Sequence, residues 1–335
     1  MNDSSLLGEC RIIPKKLILK PNEFNNGHAH FSDPVRAFKT LKEQNSITPE
    51  FRIIGDFPVD THIISALWIN MIGHKFDACL DESSYGSRLR RVRNEKVLDK
   101  NAPKSFHITA IGSFEPYFQP YQKWRKNGLQ AIRWELEKEH KVIAVSLDLK
   151  NYYHSIDPTF FASSDFQTAI GLNNESHNLE LINDFTNQLS ELLKHWSSNA
   201  GEFIKVFLGE SDINHINGGL AIGLTASRII SNVLLHSWDK LVLEKITPIY
   251  YGRYIDDMFL VLRDPGTINN THELMEYFQE RIGEKRLIYD DEIWRILSGY
   301  PNIYTKDLSW ESTLERTACQ ICWTVINTLI TIMKI

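Results

Sequence analysis

Three aspartates, Asp148 and the adjacent pair Asp256 and Asp257, are the residues of this 335-residue sequence best suited to chemistry. The first ends the apolar run VIAVSLD, and the pair sits inside RYIDDMFLVL. Carboxylate oxygens are hard donors that hold magnesium. A cluster drawn from separate segments suits a two-ion site for in-line phosphoryl transfer, which activates an attacking 3′ hydroxyl and neutralises a leaving pyrophosphate. Such chemistry requires the fold to bring distant acids together. Alone, the aromatic-x-Asp-Asp tetrapeptide Tyr254 to Asp257 is a weak signal, and a surface turn is its plain reading.

The elements that must position these acids follow from the residue pattern. Val142 to Leu147 is short, β-branched and almost unbroken in apolar character, which predicts a strand buried on both faces with Asp148 at its end. Ile249 to Ile255 and Met258 to Leu262 flank the Asp-Asp pair, which predicts two strands joined by a tight turn with both carboxylates at the tip. Between them lies NGGLAIGLTASRIISNVLLHSWDKLVLEK, a glycine-rich loop feeding a helix that starts near Thr225 or Ser227. That helix buries Ile230, Leu234, Trp238, Leu241 and Val242. Upstream, Ile63, Ile64, Leu67, Trp68, Met71 and Ile72 recur at helical spacing and predict a helix with a broad buried stripe. Strand-Asp, glycine-rich loop with helix, and Asp-Asp hairpin in this order form a joint pattern well above chance.

Composition sets the frame. With 42% hydrophobic and 24% charged residues the chain is an ordinary globular protein of one large or two moderate domains. No repeat, low-complexity linker or signal peptide is evident, and four cysteines do not make a disulfide framework. A reducing cytoplasm is the expected home. The apolar stretch from residue 321 to 335 falls short of the roughly 20 residues that span a bilayer, so no membrane contact is expected. The formal charge of −5 means that nucleic acid would be met by local patches, such as Arg88, Arg90, Arg91, Arg93 and Lys96, or Lys15, Lys16 and Lys20.

Together these segments resemble a known family. LDLKNYYHSID resembles motif A of reverse transcriptases, GGLAIGLTASRIISNVLL resembles motif B, and RYIDDMFLVL resembles motif C. SSYGSRLRR is similar to the fingers segment that group II intron reverse transcriptases and their bacterial relatives carry before motif A. The resemblance runs over about residues 60 to 265. Within the family the chain is similar to the bacterial antiphage branch, the abortive-infection and defence-associated reverse transcriptases, through GLAIGLTASRIISN, SRLRR and GSFEPYFQPYQKWRKNGLQAIR. The subtype it resembles is the second polymerase subunit of a type 3 defence-associated system.

The resemblance implies an α+β right-hand fold. Residues 1–54 would be an N-terminal extension, 55–140 the fingers, 141–160 the palm with motif A, 161–213 a connection, 214–290 the palm with motifs B, C and D, and 291–335 a partial thumb or partner-facing segment. It implies that Asp148, Asp256 and Asp257 bind two Mg2+ ions, with the Leu149 carbonyl as a further ligand. Tyr153 matches the steric gate that crowds a ribose 2′ hydroxyl and so favours deoxynucleoside triphosphates. Arg88, Arg90 and Arg91 fall where the fingers meet the triphosphate, with Gly223 and Ser227 also at the nucleotide. Gly219, Ile222 and Tyr254 fall at the template and primer, and Asn232 matches a common motif-B position. RNA or DNA, and a non-coding RNA or a second reverse transcriptase subunit in an oligomer, are the implied partners.

Two departures matter. Ile222 stands where many members have Gln, which removes a polar contact near the nascent pair, and little chain follows motif C for a thumb. Two rivals stay open: a non-catalytic palm subunit that binds nucleic acid or a partner polymerase, and an RNA-dependent RNA polymerase, against which Tyr153 speaks. Other features read plainly. His28 and His30 suggest a surface turn, Cys319 and Cys322 an incidental pair. Tyr117, Phe118, Tyr121 and Trp124 suggest core packing before base stacking.

Overall fold

The computed structural model describes residues 4–19, 28–30, 33–43, 47–92, 106–107, 114–149, 151–172, 179–208, 218–290, 293–296 and 308–309. Arg93, Lys96, Lys20, Cys319, Cys322 and the apolar stretch 321–335 lie outside them. The described chain is α+β.

It opens with β1 (Glu9–Leu19), β2 (His28–His30), α1 (Pro34–Glu43) and β3 (Ile47–Asp56), the strands forming an antiparallel sheet in the order β2-β1-β3. His28 and His30 thus lie on a strand where a turn was expected. The β1–β3 register slips between Pro14 and Lys16. Proline has no amide to give the ladder, and the bulge that results re-aims Lys15. The expected boundary at 54/55 falls within β3, so the sheet runs straight into the next unit.

There, α2 (Val59–Trp68) and α3 (His74–Cys79) are joined by a π-helical turn at Ile69–Gly73. Trp68 and Ile72 are buried, but Ile63, Leu67 and Met71 are 51%, 50% and 44% exposed. The expected stripe is therefore narrower than its apolar residues, because the core contacts one flank of the helix and the π turn rotates the residues that follow. Two-residue strands β4 (Arg91–Val92) and β5 (Phe106–His107) pair antiparallel. Then come α4 (Phe118–Glu137), β6 (Val142–Asp148), α5 (Tyr152–Ser155), α6 (Ser164–Ala169) and the long α7 (Leu179–Leu208). Helices α8 (Thr225–Leu234) and α9 (His236–Leu241) lead to the hairpin β7 (Tyr250–Tyr254) and β8 (Asp257–Arg263). The order ends with α10 (Thr271–Ile282) and a small antiparallel sheet of β9 (Leu287–Asp290), β10 (Ile293–Ile296) and β11 (Leu308–Ser309).

The sheet that matters is β6-β8-β7, antiparallel throughout. Side chains alternate across it. Val145, Leu147, Met258, Leu260, Leu262 and Tyr251 turn to the main core, with Trp68, Trp196 and Trp238 among its largest members. Ala144 and Val261 turn the other way, under Ala131 and Ile132 of α4. Gly128 makes that crossing possible: a Cβ there would stand 2.1 Å from the Phe259 ring. A mid-helix glycine costs about 1 kcal/mol against alanine, and close helix–sheet packing offsets it. The expectation that β6 is buried on both faces fails at Ser146, which is exposed. Ser146 and Asp148 lie beyond the reach of α4, on an open end of the same face.

Candidate active site

Strand register brings the predicted acids together. Asp148 is the Cα partner of Asp257 across the β6–β8 ladder, and Tyr254 is the partner of Asp257 across β7–β8. Asp256 occupies the turn between β7 and β8, while Asp257 opens β8 and does not share the tip where both acids were expected. The turn is two residues long because Ile255 adopts φ 63°, a left-handed conformation rare for a β-branched side chain. Such strain persists where surroundings over-determine it. Here the Ile255 carbonyl accepts a bond from Arg253 Nη1 at 2.7 Å, and Gly86 lies so close that a Cβ would stand 2.8 Å from the Ile255 nitrogen.

Behind the turn is a buried polar network. Arg253 is fully buried and gives all five N–H donors: to both Asp239 oxygens, to the Asn232 side-chain and main-chain oxygens, and to Ile255. Tyr251 donates to Asp239 at 2.5 Å. Asn232 Nδ2 donates to the Gly86 carbonyl at 2.8 Å, and Ser84 Oγ donates to Asn232 Oδ1 at 3.1 Å. The segment 83–85 runs beside β7, with Arg253 N donating to Ser83 O and Tyr85 N to Arg253 O. Asn232 of α8, the 83–86 loop and the hairpin are therefore one hydrogen-bonded unit. Asp239 was not among the sequence candidates; the only sign of it is an acid within an apolar helix.

The acids themselves are crowded. Burial, then the charges of Asp148 and Asp256, push the Asp257 carboxyl up to about 7. Burial also raises Asp256, with Lys15, Arg52 and Arg253 pulling the other way. Bulged Lys15 and Arg52 of β3 thus supply positive charge to Asp256. Sequence reading had Lys15 as a phosphate candidate and missed Arg52, whose place follows only from the β1–β3 pairing. Hard oxygen donors whose mutual repulsion raises a pKa suit a divalent cation. Among the described residues no group of three or more His, Cys, Asp or Glu side chains is closed around a metal-sized point. The backbone register gathers the acids. The Leu149 side chain is buried in the core.

The glycine-rich loop is stitched to the residues after β6. Leu220 N donates to the Tyr153 carbonyl at 2.7 Å. Gly219, at φ 65°, has no room for a Cβ, which would stand 2.3 Å from that oxygen. Gly223, at φ 116°, presses on Gly55 of β3, whose amide donates to the Ile222 carbonyl at 2.8 Å. The Tyr153 hydroxyl accepts from Ser231 Oγ at 3.0 Å, and burial raises its pKa, with the Asp256 charge adding to the rise. Tyr153, Gly219, Ile222 and Gly223 therefore lie with the acids and β3. Helix α8 starts at Thr225, as expected, but ends at Leu234, so the single helix expected to bury Trp238, Leu241 and Val242 as well is broken at Leu235, and Leu241 is half-buried. Leu224 cannot cap it, so Ser65 Oγ of α2 accepts from Ala226 N at 2.8 Å instead.

Other candidates are placed differently. Arg88 spends all five N–H donors on Asp77 Oδ1 and the carbonyls of Asp77, Leu80, Asp81 and Ser84. Arg91 pairs with Asp77 Oδ2 at 3.1 Å and donates to the His74 carbonyl. Both stitch the 81–92 segment to α3, and a triphosphate contact from them requires breaking those bonds. Arg90 is exposed. Ser227 is buried, and its Oγ has no hydrogen-bond partner among the described residues. Tyr254 is 7% exposed and packs its ring edge-on to Tyr117 and Tyr121.

No helix among the described residues is long and apolar enough to cross a membrane. No family model matches the sequence, and no curated protein matches it.

Proposed function

We propose that this chain is a nucleotidyltransferase of reverse transcriptase type, with Asp148, Asp256 and Asp257 as its catalytic acids, working in bacterial antiphage defence. The observation that carries the reading is the register of Asp148 opposite Asp257 with Asp256 in the adjoining turn. In this reading the sheet β6-β8-β7 is the palm, and the β1–β3 sheet docked on the 218–223 loop belongs to the fingers. Two magnesium ions, when bound by the three acids, supply activation of a 3′ hydroxyl and neutralisation of a pyrophosphate.

The chain's own residues have definite tasks. Lys15 and Arg52 offer charge to a triphosphate lying beside Asp256, in place of Arg88 and Arg91. Tyr153, fixed by Ser231 and the loop amide, crowds the sugar 2′ position. Gly219 and Gly223 let the loop backbone approach both the Tyr153 segment and β3. The templates are RNA or DNA, and a non-coding RNA or second polymerase subunit is the proposed partner.

Purified chain with Mg2+ and labelled deoxynucleotides extends a primer, a native RNA end or a partner-supplied end, and Asp256→Asn abolishes this. Absence of incorporation under every such condition, with defence activity unchanged in Asp256→Asn, leaves the non-catalytic palm subunit. Tyr153→Ala raises ribonucleotide use relative to deoxynucleotide use by about tenfold or more. An enzyme that prefers ribonucleotides before the substitution is the RNA polymerase instead.

A further inference from the structure

The first turns of α4 carry an arrangement that the acids do not use. Tyr117 and Phe118 are 63% and 62% exposed, a costly placement for large rings in contact with water. They are not loose. Tyr117 stacks on Tyr121 at 5.5 Å with an interplanar angle of 15°, and both rings stand edge-on to Tyr254 at 5.5 and 5.4 Å. The row continues at the next i+4 position with Arg125, whose guanidinium lies 5.9 Å from the Tyr121 ring centre. Lys123 and Lys126 are also exposed on this helix, and no acidic residue lies in its first turn. Tyr254 is the register partner of Asp257, so the aromatic row adjoins the face that bears the acids.

We infer that Tyr117 and Phe118, backed by Tyr121, form a stacking platform for the bases of a single-stranded nucleic acid, whose phosphates meet Arg125, Lys123 and Lys126. Rigid exposed rings offer every base a π face without reading its identity, and neighbouring cations complement the phosphate backbone. A neutral or basic peptide would leave the three cations without counter-charge, and an acidic protein face would offer them carboxylates but no flat π partner for the exposed rings. A polyanion finds complementary charge and aromatic faces together. The inference rests on the nucleotidyltransferase reading for its purpose, since it places a strand beside the acids, but not for its test.

Binding is measured on the full chain by fluorescence anisotropy in EDTA, with labelled oligothymidine DNA and oligouridine RNA of roughly 15 nucleotides. Tyr117→Ala combined with Phe118→Ala weakens binding of at least one polymer by about tenfold or more. Arg125→Gln combined with Lys126→Gln flattens the slope of log affinity against log salt by about 1.4. Tyr117→Phe combined with Phe118→Tyr retains affinity within twofold and guards against a folding effect. Loss confined to DNA or to RNA names the strand. No binding of either polymer by the parent, or affinity within twofold for the alanine pair on both, overturns the platform. Because EDTA removes the need for chemistry, binding that depends on the platform in a chain that never incorporates nucleotides defeats the polymerase reading alone.

Discussion

Two charge clusters share the β7–β8 hairpin, one on each side, and they are built on opposite rules. On the core side every donor of Arg253 is matched, so the cation and Asp239 are neutralised where water does not reach. On the open side the acids repel one another, and burial with the charges of Asp148 and Asp256 holds Asp257 up to about 7. A saturated cluster gives position and can do little else. One whose acids repel is costly by itself, and useful when a cation joins it. The first fixes the strained Ile255 turn that holds the second in place.

The saturated side breaks hardest. Arg253→Met leaves the buried Asp239 charge without its counter-ion and removes two bonds to Asn232, and destabilises the fold by about 3–5 kcal/mol, read from denaturant unfolding. A loss under 1 kcal/mol would mean that the network does not hold the turn. Arg88 likewise spends all five donors, on Asp77 and four main-chain carbonyls.

The open side responds to pH in the opposite sense from an ion-paired carboxylate. A carboxyl whose folded pKa lies above its unfolded value of about 3.9 binds its proton more tightly in the folded state. Its stability contribution is full below that value and is lost as pH rises through about 7. Without divalent cations, Asp257→Asn is therefore about 2 kcal/mol more stable than the parent at pH 8, and the advantage disappears near pH 4. Thermal melts across that range check it. An advantage that grows toward acid pH would reverse the assigned electrostatics.

The smallest effect sharpens the same contrast at Ser227, a buried hydroxyl with no bond to lose. Ser227→Ala changes stability by less than about 0.5 kcal/mol, and a nucleotide contact at this position appears only as a raised KM for deoxynucleotide.

The strands, the hairpin and the start of α8 were readable because β-branched alternation and turn residues are local signals. Their order along the chain pointed to the acids, although the pairing of Asp148 with Asp257 depends on strands far apart in sequence. Basic residues are harder to read for a physical reason: a run of arginines shows charge but not partners, and Asp77 in α3 pairs with Arg88 and Arg91. Arg52 escaped notice because its value lies in tertiary placement, through a sheet docked on the 218–223 loop. The α2 stripe was read too wide, since helical spacing reveals which residues share a face but not how much of that face is covered.

Manganese titration followed by electron paramagnetic resonance tests the central claim most directly, because it reads the ion at the acids with no need for template or primer. The parent in the presence of deoxynucleoside triphosphate binds two Mn2+ ions beyond those held by the nucleotide alone, and Asp148→Asn combined with Asp256→Asn binds neither. Equal Mn2+ binding by the parent and the double variant, with both folded, would contradict a metal site built from β6 and the β7–β8 turn.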